Sequence, residues 1–467
     1  MRFQRQLLSL CALSGLGIAA PSSPSTSELE SRGLVGGLLT GVDKTLEVVV
    51  GGLLGALRKA IDSGDRDKTL DILHVLEPTK KPQNVEDAFA VLKNISKAKP
   101  ETIIDYSAQL IVNGLISGNT LDLFAYAQGL VSAENGSNNK NRDPSKSVYP
   151  KVADCDAPYT TSEEKLRAAI YIPPTFTYGK KPPVILFPGT GSTGYTTFRG
   201  NFIPLLTDVE WADPVWVNVP ALLLEDVQLN AEHAAYALNY IASLTQRNVS
   251  VIAWSQGNID VQWALKYWPS TRKVTTDHVA VSADYKGTAL ANIGGATGLI
   301  NTPSVLQQAA GSDFINTLRS DDGDSGYIPT TSLYSSFFDE VVQPQEGTGA
   351  SAYLLDARNV GVTNAEVQKV CAGKLAGSLY THESMLANPL TFALAKDAIT
   401  HEGPGKLSRL DLADVCNRSL APGLGLEDLL VTENSLTIAV LGLVLYLPKQ
   451  VEEPKLKQYA FEATGTC

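Results

Sequence analysis

The residue best placed to do chemistry in this chain is a serine at the tip of a turn built from small residues. It is Ser255, in Ala253-Trp254-Ser255-Gln256-Gly257, directly after the apolar run Val249-Ser250-Val251-Ile252. That run predicts a buried strand, and Ile259, Ala264 and Leu265 predict a helix beyond Gly257. A strand–turn–helix of this kind presents a serine hydroxyl as a nucleophile. The turn is tight, so the residues flanking it must be small, and Ala253 and Gly257 are. Alanine at the first flank departs mildly from the usual glycine. The same five residues also suit a serine that merely caps a helix.

A serine hydroxyl attacks only when a base takes its proton and an acid orients that base. Behind such a turn the partners follow in the order Ser, Asp or Glu, His. Three histidines follow Ser255: His278, His382 and His401. Spacing alone leaves His382 and His401 both open. Asp339 lies just past the predicted strand Thr331–Ser335, where an acid at a sheet edge belongs, although a turn or cap residue also fits there. The negative charge of an acyl-transfer intermediate needs preorganised donors. The backbone N–H of Gln256 supplies one, and the loop Pro188-Gly-Thr-Gly-Ser-Thr-Gly194, after the strand Val184–Phe187, offers a second. No lysine follows its last glycine, so a phosphate cradle is discounted.

The elements that must hold these residues come from the pattern after residue 150. Short β-branched runs (184–187, 215–219, 249–254, 278–282, 331–335) alternate with helical stretches (229–244, 258–268), which predicts an α/β fold with a mainly parallel central sheet. Residues 33–133 read as helices instead. Ala88, Val91, Leu92 and Ile95 share one helical face, as do Ile104, Ala108, Ile111 and Leu115, and Leu123, Tyr126, Ala127 and Leu130. Residues 134–149 are polar and rich in turn formers, and are read as a linker to a catalytic domain over 150–467.

The first twenty residues carry Arg2 and Arg5, then an apolar stretch to Ile18 and Ala19-Ala20, the pattern of a secretory signal peptide. A Ser/Pro-rich disordered stretch, 21–32, follows. The expectation is a secreted, extracellular protein. Net charge is −11. That excludes the basic footprint of a nucleic-acid binder, and no integral membrane segment is expected beyond the signal. Leu436–Leu447 is very apolar but short, so it reads as a buried or site-lining helix. No cysteine or histidine spacing suggests a metal. Sequons stand at Asn94, Asn135, Asn248 and Asn417, with glycan favoured at Asn94 and Asn135.

Several segments taken together resemble the fungal lipase B family: the loop 188–194, Trp254-Ser-Gln-Gly257, Asp284-Tyr-Lys-Gly287, Pro303-Ser-Val-Leu-Gln-Gln308 and Asp339-Glu-Val-Val-Gln-Pro-Gln345. The resemblance covers about residues 150–467 and has no counterpart for 33–133. It implies an α/β-hydrolase fold and a Ser-His-Asp mechanism acting on hydrophobic esters, with no cofactor. Ser255 matches the nucleophile, Asp339 the acid and His382 the base. Thr190 and Gln256 match the oxyanion donors. Trp254 matches a residue of the alcohol side, and Asp284 and Gln308 match polar residues of the acyl side. Cys371 and Cys416 match one family disulfide. Cys155 and Cys467 are then left over and are expected to pair.

The resemblance also implies that the helix near 427–447 flanks the pocket. It is bulkier here, with Leu441 and Val444 expected to narrow the alcohol side. The partners expected are a lipid or ester substrate and a lipid–water interface. A binding protein that has kept the fold and lost the chemistry is the alternative. The helical segment 33–133 is expected to be a removable pro-segment, a cover over the pocket or an interaction module.

Overall fold

The computed structural model describes residues 43–462 apart from 131, 290–296 and 337, with side chains from residue 48 onward. The chain divides into two compact units at Val49/Val50, and the sheet and the candidate site belong to the second. Seven strands form one sheet: β1 (Ile170–Tyr171), β2 (Pro183–Phe187), β3 (Asp213–Val217), β4 (Val249–Trp254), β5 (Thr275–Val281), β6 (Thr330–Tyr334) and β7 (Val362–Glu366). Their order is β1-β3-β2-β4-β5-β6-β7, with only β1 antiparallel to its neighbour. The helices of eight or more residues are α1 (Asp43–Asp62), α2 (Arg66–Val75), α3 (Val85–Ala98), α4 (Ile103–Val112), α5 (Thr120–Ala127), α6 (Val227–Thr245), α7 (Gly257–Tyr267), α8 (Pro389–Thr400) and α9 (Leu426–Leu445).

β2, β3, β4 and β6 are buried on every residue because both faces of the sheet are covered, as parallel sheets require. Ile185, Val215, Val251 and Ala253 pack with residues of α6 and α7 on one face. Leu186, Trp216, Ile252, Val279 and Leu333 pack with Leu390 and Leu394 of α8 on the other. β1 and β7 were not anticipated. One has two residues, and the other, Val-Thr-Asn-Ala-Glu, is a half-buried edge with no apolar run. Strand order reverses between β2 and β4, and an open α/β sheet forms its ligand crevice at the carboxyl ends of the strands at such a point.

The N-terminal helices lie on α9. Their predicted faces are buried at Ala88, Leu92, Ile95, Ile104, Ala108 and Ile111, whereas Leu130 falls past the end of α5 and is exposed. Polar contacts lock the layer down. Asn434 of α9 accepts from Ser117 N (3.1 Å) and donates to Ser117 O (3.0 Å), and Arg66 Nε donates to Val444 O (3.1 Å). Ser117 Oγ also bonds Glu427.

Residues 134–149, anticipated as a linker, form a strap held to the sheet edge. Glu134 O accepts from Trp216 Nε1 and Asn218 Nδ2, both at 2.8 Å, and Arg142 O accepts from Tyr240 OH at 2.7 Å. Asn135 is only 2% exposed and bonds Thr193, so its sequon is closed to glycan in the folded chain. Asn94, Asn248 and Asn417 are exposed.

α9 is the one described helix long and apolar enough to cross a membrane, but 83% of its apolar window is buried inside the protein. It is a core helix serving two layers. Residues 1–20, 21–32 and Cys467 lie outside the described residues, so the expected Cys155–Cys467 bridge does too. Cys371 and Cys416 are bridged, with Cα atoms 5.3 Å apart.

Candidate active site

Ser255 leaves β4 with φ +54°, a left-handed conformation that costs a non-glycine residue energy and persists only when the surroundings impose it. Three contacts impose it here. Ser255 N donates to Val281 O (3.0 Å), and Asn258 Nδ2 donates to both Ser255 O and Val281 O (3.0 Å each). Gly257 opens α7 against the strand β2, where a Cβ would meet Pro188 O at 2.3 Å, so no side chain fits there.

His278 is fully buried and joined to Asn258 Oδ1 (3.1 Å). Burial lowers its pKa to about 3, so it is neutral and braces the turn. His401 is half exposed and bonds Asp397 at the end of α8. His382 is the histidine that meets Asp339: its Nδ1 lies 2.9 Å from Oδ2 and 3.1 Å from Oδ1. Asp339 Oδ1 also accepts from Val341 N (3.0 Å) and Val342 N (2.7 Å), which anchors the carboxylate. The backbone of His382 is fixed as well. Its carbonyl accepts from Trp254 Nε1 and Ser282 Oγ, both at 3.1 Å, and its N–H donates to Glu340 Oε2 (3.1 Å).

Burial alone would push the His382 imidazole down. The Asp339 charge and hydrogen bond, with Glu340 and Asp284 behind them, outweigh burial and hold it above its usual value. Its Nε2 is buried and has no hydrogen-bond partner among the described residues.

Ser255, His382, Thr190, Trp254 and Gln308 share one cavity of about 610 Å³. Thr190 Oγ1 donates to Gln256 Oε1 (2.6 Å), with Gln308 Oε1 at 3.1 Å. Gln308 Nε2 in turn donates to Gln256 Oε1 (3.0 Å), and Gln256 Nε2 donates to Leu223 O (3.2 Å). Two glutamines therefore position one threonine hydroxyl. The loop carrying Thr190 is wedged against α9: a Cβ on Gly191, which has φ +72°, would come within 2.5 Å of Ala439 Cα.

Asp284 does not line the cavity. It is fully buried, neither carboxyl oxygen has a partner among the described residues, and burial raises its pKa to about 7. α9 faces the cavity with Leu436, Ala439, Val440 and Leu443. Leu441 and Val444, the residues anticipated from the sequence, are buried elsewhere.

One feature had no sequence signal. It is a group of buried carboxyls behind His382: Glu340, Glu383 and Glu433. Burial raises Glu340 to about 7 and Glu433 to about 8, and raises Glu383 well above the usual range. The helical segment, for which a cover over the pocket was one expectation, brings Ile61, Ile103, Ile104 and Tyr106 to the same cavity as Ser255. No group of three or more His, Cys, Asp or Glu placed to hold a metal occurs among the described residues.

No protein-family model matches the chain. Lipase B of Pseudozyma antarctica is 34% identical over 284 residues, which are 60% of this chain and 79% of that protein. The crystal structure of Aspergillus fumigatus lipase B superposes with a TM-score of 0.78 at 42% identity, covering 87% of this chain and 99% of that one. That share exceeds what residues 150–467 alone supply, so the likeness extends into the helical layer.

Proposed function

This chain belongs to the lipase B family and is a hydrolase of the lipase/esterase class, and we propose that it cleaves hydrophobic esters through an acyl-enzyme formed on Ser255. The observation that carries this reading is the 2.9 Å bond between Asp339 and His382 Nδ1, with the opposite ring nitrogen unbonded in the cavity that Ser255 lines. In the first step Ser255 Oγ bonds to the carbonyl carbon and its proton passes to His382 Nε2. Asp339 stays ionised and stabilises the imidazolium. The N–H of Gln256 and the Thr190 loop hold the oxyanion, at about 3–4 kcal/mol per donor in other enzymes. The Thr190 hydroxyl must turn from Gln256 Oε1 to do so, and Gln308 Nε2 keeps that oxygen satisfied when it leaves. The oxyanion then collapses and the alcohol departs with the proton from His382. Water repeats the sequence to free the acid.

The substrate's apolar part lies among Ile104, Val305, Leu436, Val440 and Leu443. Trp254 and Gln308, which line the same cavity, flank the ester. We further propose export through the N-terminal segment 1–20 and action outside the cell, at a lipid–water interface.

The deciding experiment is hydrolysis of p-nitrophenyl esters from acetyl to palmitoyl, by the secreted protein beside Ser255→Ala and His382→Ala. Parent activity that both variants lose by orders of magnitude supports the mechanism. An inert parent that also resists labelling by a fluorophosphonate would sink it and leave a binding protein.

A further inference from the structure

The chain carries a net charge of −11, yet the helical wall brings three lysines to the cavity that holds Ser255. Lys93 and Lys97 stand one turn apart on α3, and Lys99 caps that helix in a left-handed conformation, φ +50°. All three are exposed, and none of their ammonium groups has an ion pair or hydrogen-bond partner among the described residues. Two acids line the same cavity. Glu101 is exposed beside the lysines. Glu340 is buried, and burial holds its carboxyl up at about 7. Arg58, which is nearby in the fold, is already committed to Asp105.

Unpaired lysines on a solvent-facing helix are ordinary. Lysines lining a reaction cavity that also carries Ile61, Ile104, Val440 and Leu443 are not. A largely apolar chamber with lysines among its lining residues complements an amphiphile with an anionic group. Ammonium is a compact point charge suited equally to carboxylate and phosphate.

We propose that Lys93, Lys97 and Lys99 make this hydrolase selective for esters presented with an anionic group. The apolar chain lies among Ile61, Ile104 and Leu443, and the anion meets the lysines. The anion is either carried by the ester itself or supplied by neighbouring lipid headgroups. The inference rests on Ser255 being the nucleophile of an ester hydrolase.

The test uses the full chain, its Lys93→Gln/Lys97→Gln/Lys99→Gln variant and the corresponding triple Arg variant. The first arm compares kcat/KM for mono-p-nitrophenyl sebacate with that for p-nitrophenyl decanoate, both below their aggregation limits. The second compares p-nitrophenyl palmitate carried in phosphatidylcholine vesicles with and without phosphatidylglycerol. The anionic-to-neutral ratio should be roughly tenfold higher in the parent than in the Gln variant, as three partly screened charge pairs would give. It should survive in the Arg variant and shrink with added salt.

An effect in the first arm places the anion on the ester, and an effect only in the second places it in the interface. Ratios equal in parent and Gln variant in both arms would overturn the proposal. A parent inactive on p-nitrophenyl decanoate and palmitate alike would overturn the underlying nucleophile assignment, which is a separate failure.

Discussion

The chemistry at the floor of the cavity and the helical wall beside it are held in opposite ways. At the floor, each group of the proposed triad is buried and fixed by several short contacts. Ser255 is forced into a left-handed turn, and Asp339 and His382 are anchored through both backbone and side chain. The wall is held by apolar faces on α9 and a few polar locks, and what it shows the cavity includes exposed lysines. The floor therefore spends stability on geometry. The wall contributes stability and shape, and shape is easier to change without ending the chemistry.

Four measurements bear on that contrast. The largest effect belongs to the floor. Ser255→Ala should lower kcat/KM by roughly 10⁵-fold, and Asp339→Asn by about 10⁴-fold, with little change in Tm for the serine variant. Loss of both activity and fold in Ser255→Ala would mean that the floor is structural after all. Second, Gly257→Ala forces a Cβ to within 2.3 Å of Pro188 O. It should cost about 1–3 kcal/mol by urea unfolding and take most of the activity with it, because the turn must shift.

The third concerns the carboxyls where floor and wall meet. Glu340, Glu383 and Glu433 have folded pKa values raised above the ordinary 4.5 of a glutamate. Between pH 4.5 and about 8 the native state then holds protons that the unfolded chain has lost, so their contribution to stability is full below 4.5 and fades as pH rises through the window. His278 works the other way, losing stability below its usual 6.5. Comparison with a variant isolates the acids. Glu433→Gln should flatten the fall in Tm between pH 5 and 8, a difference of about 1–3 kcal/mol. An unchanged slope would show that Glu433 is not the group titrating.

The smallest effect belongs to the wall. Asn434→Ala removes both bonds to Ser117 and should cost about 1–2 kcal/mol of stability, with less than a threefold change in kcat on a short ester. A loss of activity as large as that of Gly257→Ala would erase the distinction between the two regions.

The same contrast governs what could be read from the sequence. The floor was legible where chemistry restricts residue type. A serine between small residues after an apolar strand, an acid after β6 and a glycine-rich loop after β2 all carry their reason in their identity. The choice of His382 over His401 was not legible from spacing, because distance along the chain says nothing about which loop returns to the sheet. The resemblance favoured His382, and the geometry puts that residue alone beside Asp339.

Phase along α9 was misread because the helix is apolar all round, so periodicity could not tell the stripe of Leu436, Val440 and Leu443 from that of Leu441 and Val444. The strap at 134–149 looked like a linker because its anchors are backbone carbonyls, which have no residue signature, and asparagine side chains, which equally suit an exposed turn. The three glutamates come from three separate stretches of chain, and each by itself looks like an ordinary surface acid.

The contact between Gly191 and Ala439 has a meaning for how such a chain can diverge over generations. The close approach bars a side chain at position 191, whose Cβ would displace the loop that carries Thr190. A lineage can explore new substrates through Leu436, Val440 or Leu443, one substitution at a time. Position 191 has no such freedom. Descendants should vary in what they accept long before they vary in how they hold the reacting carbonyl.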